Sequence, residues 1–252
     1  MKTQFSLFTI IPVNITGEDV DGLSRNFWLV PIVGLFYGLV AGGLFYVLTF
    51  TFNGLVSAVL VILVVHMLNR FLHFDGLIDL GDGLVATGPQ EKKLAAMKDT
   101  RVGAGGVSYG IMFTVLIVAA LGSLPALIFL VPLAMEVTAK NSLLTVAAFG
   151  KEREGLGSPF VKNTEPRAAL ASALLSFVLI LPFALLTMAA GAGIVAMFVI
   201  VAMIAVSSLT GWIMSRVAHR NFGCVNGDVM GATNELGKAA VLLTALAVLA
   251  WL

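Results

Sequence analysis

Charge is what this chain has least of. Asp, Glu, Lys and Arg make up 12% of its 252 residues, about half the share of an average soluble domain. With 59% of residues hydrophobic, the deficit excludes a disordered chain, which needs low hydrophobicity. One cysteine, Cys224, excludes an internal disulfide framework. Three histidines beside it supply zinc or Cys–His chemistry poorly, and no His-Glu-x-x-His pair occurs. A net charge of +1 lacks the basic footprint of a nucleic-acid partner. What is left is an integral membrane protein.

The 29 charges, 15 basic plus 14 acidic, fall in four stretches: 1–25, 70–101, 136–167 and 216–238. The uncharged gaps between them are 44, 34 and 48 residues long, and one span takes about 20. Each gap therefore holds more than one helix. Phe52-Asn53-Gly54, Gly122-Ser123-Leu124-Pro125 and Gly191-Ala192-Gly193 supply uncharged turn-backs. The expected spans are Asn26–Thr51, Leu55–Phe74, Val107–Leu121, Ala126–Phe149, Ala168–Ala190 and Ile194–Ser215. Ala239–Leu252, 14 residues, is short for a seventh. The expected fold is an all-α polytopic membrane protein of about six or seven helices arranged as hairpins. It forms one domain, 1–252. Hairpins return every charged stretch to one face, which the positive-inside rule makes cytoplasmic. Met1–Val13 lacks the cleavage site of a signal peptide, and the sequon Asn14-Ile15-Thr16 is read as chance.

Two acidic segments carry the chemistry. Asp75, Asp79 and Asp82 stand at i, i+4 and i+7, one stripe of a helix. Like charges so placed repel, and a hard divalent cation, Mg²⁺ with Mn²⁺ as the alternative, relieves them. Asp228 and Glu235 are again seven apart, with Asn226 and Asn234 beside them and with Gly227 and Gly231 slimming the segment for close approach. Two acidic stripes on one face suit a two-metal displacement at phosphorus. Lys98 and Arg101 precede the Gly103–Gly106 turn, read as a phosphate-binding helix start. Glu136 and Lys140 are four apart inside a span, either as an ion pair or with Lys140 reaching a phosphate. Arg153 lies in a mixed-charge loop, and His73 is a candidate base. These residues together suggest an enzyme that uses carboxylate-bound Mg²⁺ to transfer a phosphoryl-type group. The rival class is an ion-coupled transporter, against which the one-sided position of the acids argues.

Five blocks resemble the cobalamin synthase (adenosylcobinamide-GDP ribazoletransferase) family. They are Phe8–Pro12, His73–Gly83, Met97–Gly103, Arg153–Gly157 and Gly227–Ala232, in family order across nearly the whole chain. The resemblance implies transfer of adenosylcobinamide phosphate from adenosylcobinamide-GDP to a ribose hydroxyl of α-ribazole or its 5′-phosphate, releasing GMP. It also implies Asp75, Asp79, Asp82 and Asp228 on Mg²⁺ with Glu235 as a further ligand. Lys98 and Arg101 would hold the diphosphate, Lys140, Arg153, Asn226 and Asn234 would contact substrate, and Asp82 or His73 would take the hydroxyl proton. The chain departs from the family at Cys224 and Asn226, at Lys140 in place of an arginine, and at Lys238, where an acidic residue is common. CDP-alcohol phosphotransferases share the acidic stripe, but their D-x-x-D-G-x-x-A-R pattern is absent.

Overall fold

The computed structural model describes residues 22–153, 155, 157–188, 191 and 193–251. Phe8–Pro12, Met1–Val13 and the sequon lie outside them, as do Glu154 and Leu156. The described residues are helical and contain no strand. Ten helices follow a single turn at Phe27–Leu29: α1 (Val30–Leu48), α2 (Gly54–Leu68), α3 (Leu72–Val85), α4 (Gln90–Met97), α5 (Ala104–Gly122), α6 (Leu130–Ala148), α7 (Ser158–Asn163), α8 (Pro166–Met188), α9 (Gly193–Phe222) and α10 (Gly227–Trp251).

Five of them are long and apolar enough to cross a membrane: α1 with its preceding turn, α5, α8, α9 and α10. The number is six if α2 and α3 are one broken span. Three expectations change. The segment expected at Leu55–Phe74 ends at Leu68, and α3 leaves it at 96°. Arg70 and Phe71 both adopt left-handed backbone, φ 56° and 58°, which no glycine announces. At 15 residues, α2 is about 22 Å long, short of a hydrocarbon core of about 30 Å. We read α3 as turned out of the spanning direction.

The expected span Ala126–Phe149 becomes α6, which is outside the five because Glu136, Thr138, Lys140, Asn141, Ser142 and Thr145 dilute its apolarity. All 19 of its residues are buried, and α1, α8, α9 and α10 surround it. The last apolar segment is not a short separate element. It continues from Gly227 as one 25-residue helix, so Asp228 opens a spanning helix and Lys238 sits inside it.

The turn-backs at Asn53 and Gly122 are as expected. Asn53 accepts the Val56 N–H at 2.9 Å as an N-cap. A Cβ on Gly54 would abut the Gly122 carbonyl, so the two turns lie against each other.

Candidate functional site

The site forms where α3 crosses the start of α10. A Cβ on Gly76 would lie 2.7 Å from the Asp228 carbonyl oxygen and 3.2 Å from its Cα. A Cβ on Gly231 would lie 3.3 Å from the His73 Cα. Small residues here let two backbones approach as they do in membrane helix pairs. Gly231 acts as the sequence suggested, whereas nothing lies within 4 Å of a Cβ on Gly227.

This crossing brings the two acidic segments together. Burial, and then the charges of Asp228, Asp75 and Asp82, push the Asp79 carboxyl up to about 7. Asp75 is exposed, and Asp79 and Asp228 are half-buried. Among the described residues, none of these three has a cation within ion-pair distance. Asn226 organises the α10 start: its Oδ1 accepts the Val229 N–H at 3.0 Å, and its Nδ2 donates to Asp228 Oδ2 at 2.9 Å.

Asp82 has a different occupation. Its Oδ2 accepts the Gly103 N–H at 2.7 Å, and its Oδ1 accepts the Gly106 N–H at 2.8 Å. The glycine turn read as a phosphate cradle is therefore filled by the protein's own carboxylate. The helix-start logic holds, but the anion is Asp82.

Cations influence the same region. Lys98 ends α4 and acts electrostatically on Asp228 and on Cys224. Arg153 acts electrostatically on the Cys224 side chain. Burial pushes the Cys224 thiol up, and Arg153 and Lys98 oppose that shift. The Val225 N–H donates to the Lys151 carbonyl at 2.8 Å, which pins the Arg153 loop to the α9–α10 connection. Arg101 is exposed and folded back on Asp99, with Nη2 donating to Oδ2 at 3.0 Å and Nε to Oδ1 at 3.2 Å. The guanidinium holds the Asp99 carboxyl down at about 2.

Four expected site residues lie elsewhere. Glu235 is 1% exposed and pairs with Lys238 at 3.2 Å. Asn234 accepts from Lys140 Nζ at 2.7 Å and donates to Glu235 Oε1 at 3.0 Å. Glu136 pairs with Lys238 at 3.1 Å instead of with Lys140. His73 is buried and feels Lys140, Lys238 and His66, so it belongs to the interior rather than to the acidic face. Lys238, which the resemblance marks only as a departure, pairs with both buried carboxylates, and its signal in the sequence is an isolated charge in an apolar segment.

Among the described residues, no three histidine, cysteine or carboxylate side chains are grouped so as to hold a metal ion between them. The donors nevertheless fit Mg²⁺. They are carboxylate oxygens only, and this ion keeps several waters and takes one or two carboxylates plus substrate phosphates. Asp75, Asp79 and Asp228 are the residues that would hold it.

Residues 1–246 match the family described as cobalamin-5-phosphate synthase. Proteins named adenosylcobinamide-GDP ribazoletransferase are similar over most of their length. That of Methanococcoides burtonii is 33% identical over 96% of this chain and 90% of its own. Those of Methanosarcina mazei and Methanocella arvoryzae are 33% and 34% identical, each over 96% of this chain and over 89% and 93% of their own. No solved structure matches. With the acidic crossing at Gly76 and Asp228 in place and a match over nearly its whole length, the chain belongs to the cobalamin-5-phosphate synthase family.

Proposed function

We propose that the chain carries out the ribazole transfer for which its relatives are named. It would move adenosylcobinamide phosphate from adenosylcobinamide-GDP to a ribose hydroxyl of α-ribazole or α-ribazole 5′-phosphate, with release of GMP. The observation that carries this reading is the meeting of Asp75, Asp79 and Asp228 across the Gly76 contact, with Lys98 and Arg153 at its margin.

A phosphoanhydride breaks and a phosphodiester forms, so the protein's task is alignment and charge neutralisation. Mg²⁺, when bound, supplies positive charge to the diphosphate oxygens. Asp75, Asp79 and Asp228 would hold that charge at the α10 start. Lys98 and Arg153 would attract the diphosphate. Asp79, with its carboxyl near 7, is suited to accept the hydroxyl proton when it is not committed to metal. Asp82 holds the α5 start against α3 and so supports the acidic stripe. We place the whole site in one domain, 1–252, and on the cytoplasmic face, which the positive-inside rule gives to the charged stretches.

The test is incubation of the purified protein with adenosylcobinamide-GDP, α-ribazole and Mg²⁺. Mg²⁺-dependent GMP release supports the transfer. No release, together with ion flux in vesicles, overturns it in favour of a transporter.

A further inference from the structure

The bundle interior holds four charges that the reaction does not use. Glu136, Lys140, Glu235 and Lys238 are each 0–1% exposed. Two come from α6 and two from α10. Lys238 Nζ lies 3.1 Å from Glu136 Oε1 on α6 and 3.2 Å from Glu235 Oε1 on its own helix. One turn along each helix, Lys140 Nζ on α6 donates to Asn234 Oδ1 on α10 at 2.7 Å. Asn234 Nδ2 closes the set by donating to Glu235 Oε1 at 3.0 Å.

The formal charges cancel, two against two, so the set stands without a bound ion. Apolar packing alone would hold α10 only loosely along its axis, because methyl and methylene contacts carry little direction. The two interhelical ties do have direction, and each joins a different pair of positions. A slide of α10 by one residue, about 1.5 Å, would break both at once. Ion pairs of this kind add little net stability over an apolar core and are best attested as setters of register.

The same helix carries the site. Asp228 lies at the start of α10, and its backbone is the surface against which Gly76 packs. A change in the axial position of α10 is therefore a change in the position of Asp228 against Asp75 and Asp79. We infer that Lys238, Glu136 and the Lys140–Asn234 pair form a buried key that fixes α10 on α6 and thereby places Asp228 opposite the α3 acidic stripe. Lys238 is a positioning residue. It acts through α10 and touches no reacting group.

The metal arm of the test rests on the proposed function, and the geometric arm does not. The informative variant is Glu136→Gln with Lys238→Met. It removes both ion pairs of Lys238 and leaves Lys140 and Glu235, one charge of each sign joined through Asn234, so it is expected to fold. Lys238→Met alone strands two carboxylates, and its expected outcome is loss of folded protein.

In a Cys224→Ser background carrying Asp75→Cys and Asp228→Cys, a short bis-thiol reagent should bridge the pair readily. The double variant should slow that bridging. With the native aspartates restored, its Mn²⁺ affinity should fall by about 10- to 100-fold, the range seen when supports of a metal site are removed, while thermal unfolding stays near that of the parent. Unchanged bridging in the folded double variant overturns the proposal, as does unchanged bridging in a folded Lys238→Met protein. If bridging slows but the parent binds no Mn²⁺, the key stands and the metal reading falls.

Discussion

Gly76 and Asp228 touch backbone to backbone, 2.7 Å separating the Asp228 carbonyl oxygen from where a Gly76 side chain would begin. This contact joins the two acidic segments, and Gly76 could not carry a Cβ toward Asp228. The distance of the α3 carboxylates from α10 is therefore set by the absence of a methyl group.

Gly76→Ala should separate α3 from α10. Overpacking of this kind costs about 1–3 kcal/mol, and Mn²⁺ affinity should fall with it. Gly43, in α1, has nothing within 4 Å of a built Cβ. Gly43→Ala should leave both properties unchanged or raise stability slightly. Thermal unfolding in detergent compares the two, and equal effects would remove the contact from the argument.

Asp79→Asn should abolish transfer and also alter the pH dependence of stability. In the metal-free folded protein Asp79 keeps its proton up to about pH 7, whereas the unfolded chain releases it near a pKa of about 3.9. Between those values the folded state binds more protons, so stability is greatest at the low end and falls as pH rises through the window. The variant lacks that contribution. Unfolding temperatures in EDTA from about pH 4.5 to about pH 8 should decline more steeply in the parent, and parallel curves would refute the assignment.

Asp82 and Asp75 should separate structure from chemistry. Asp82→Ala strips two charge-assisted bonds from the α5 start, and each is worth about 1.5–3 kcal/mol. Asp75 is exposed and holds no such bond among the described residues. Asp75→Asn should therefore spare the unfolding temperature and lower Mg²⁺-dependent GMP release. The contrast fails if Asp75→Asn unfolds as readily as Asp82→Ala.

Lys98→Ala and Arg153→Ala should raise the KM for adenosylcobinamide-GDP with Mn²⁺ affinity retained. Arg101→Ala should have the smaller effect, because Asp99 already occupies its guanidinium. Steady-state kinetics on the three variants rank them, and a dominant Arg101 effect would reverse the assignment.

The acidic stripe was legible because i, i+4, i+7 spacing carries its own geometry and because isolated acids in an apolar chain stand out. The Asn53 turn was legible through its capping residue. The 96° break after α2 was not, since Arg70 and Phe71 adopt left-handed backbone without the glycine or proline that usually marks such a bend. The partners of Glu136 and Lys140 were hidden for another reason. Helical spacing shows which residues share a face, and Glu136 and Lys140 do share one, but the charges that answer them come from α10. Glu235 and Asn234 were assigned to the outer face because α10 was expected to begin its apolar course only at Ala239, when it is already a buried helix from Val229 onward. Asp82 showed the complementary limit: the stripe identified its face, but not the backbone N–H groups waiting there.

The burial of α6 on every side constrains the order in which the protein can be made. Lys140 leaves the ribosome 94 residues ahead of Asn234, about 5–20 s of synthesis at ordinary rates. Through that interval Glu136 and Lys140 can pair with each other across one turn of α6 but lack their α10 partners, on a helix with no lipid-facing side of its own. Only α10 brings Lys238 and Asn234 to them. A later helix thus completes an interior begun before it, and a nascent chain stopped before α10 is an unfinished bundle rather than a shorter one.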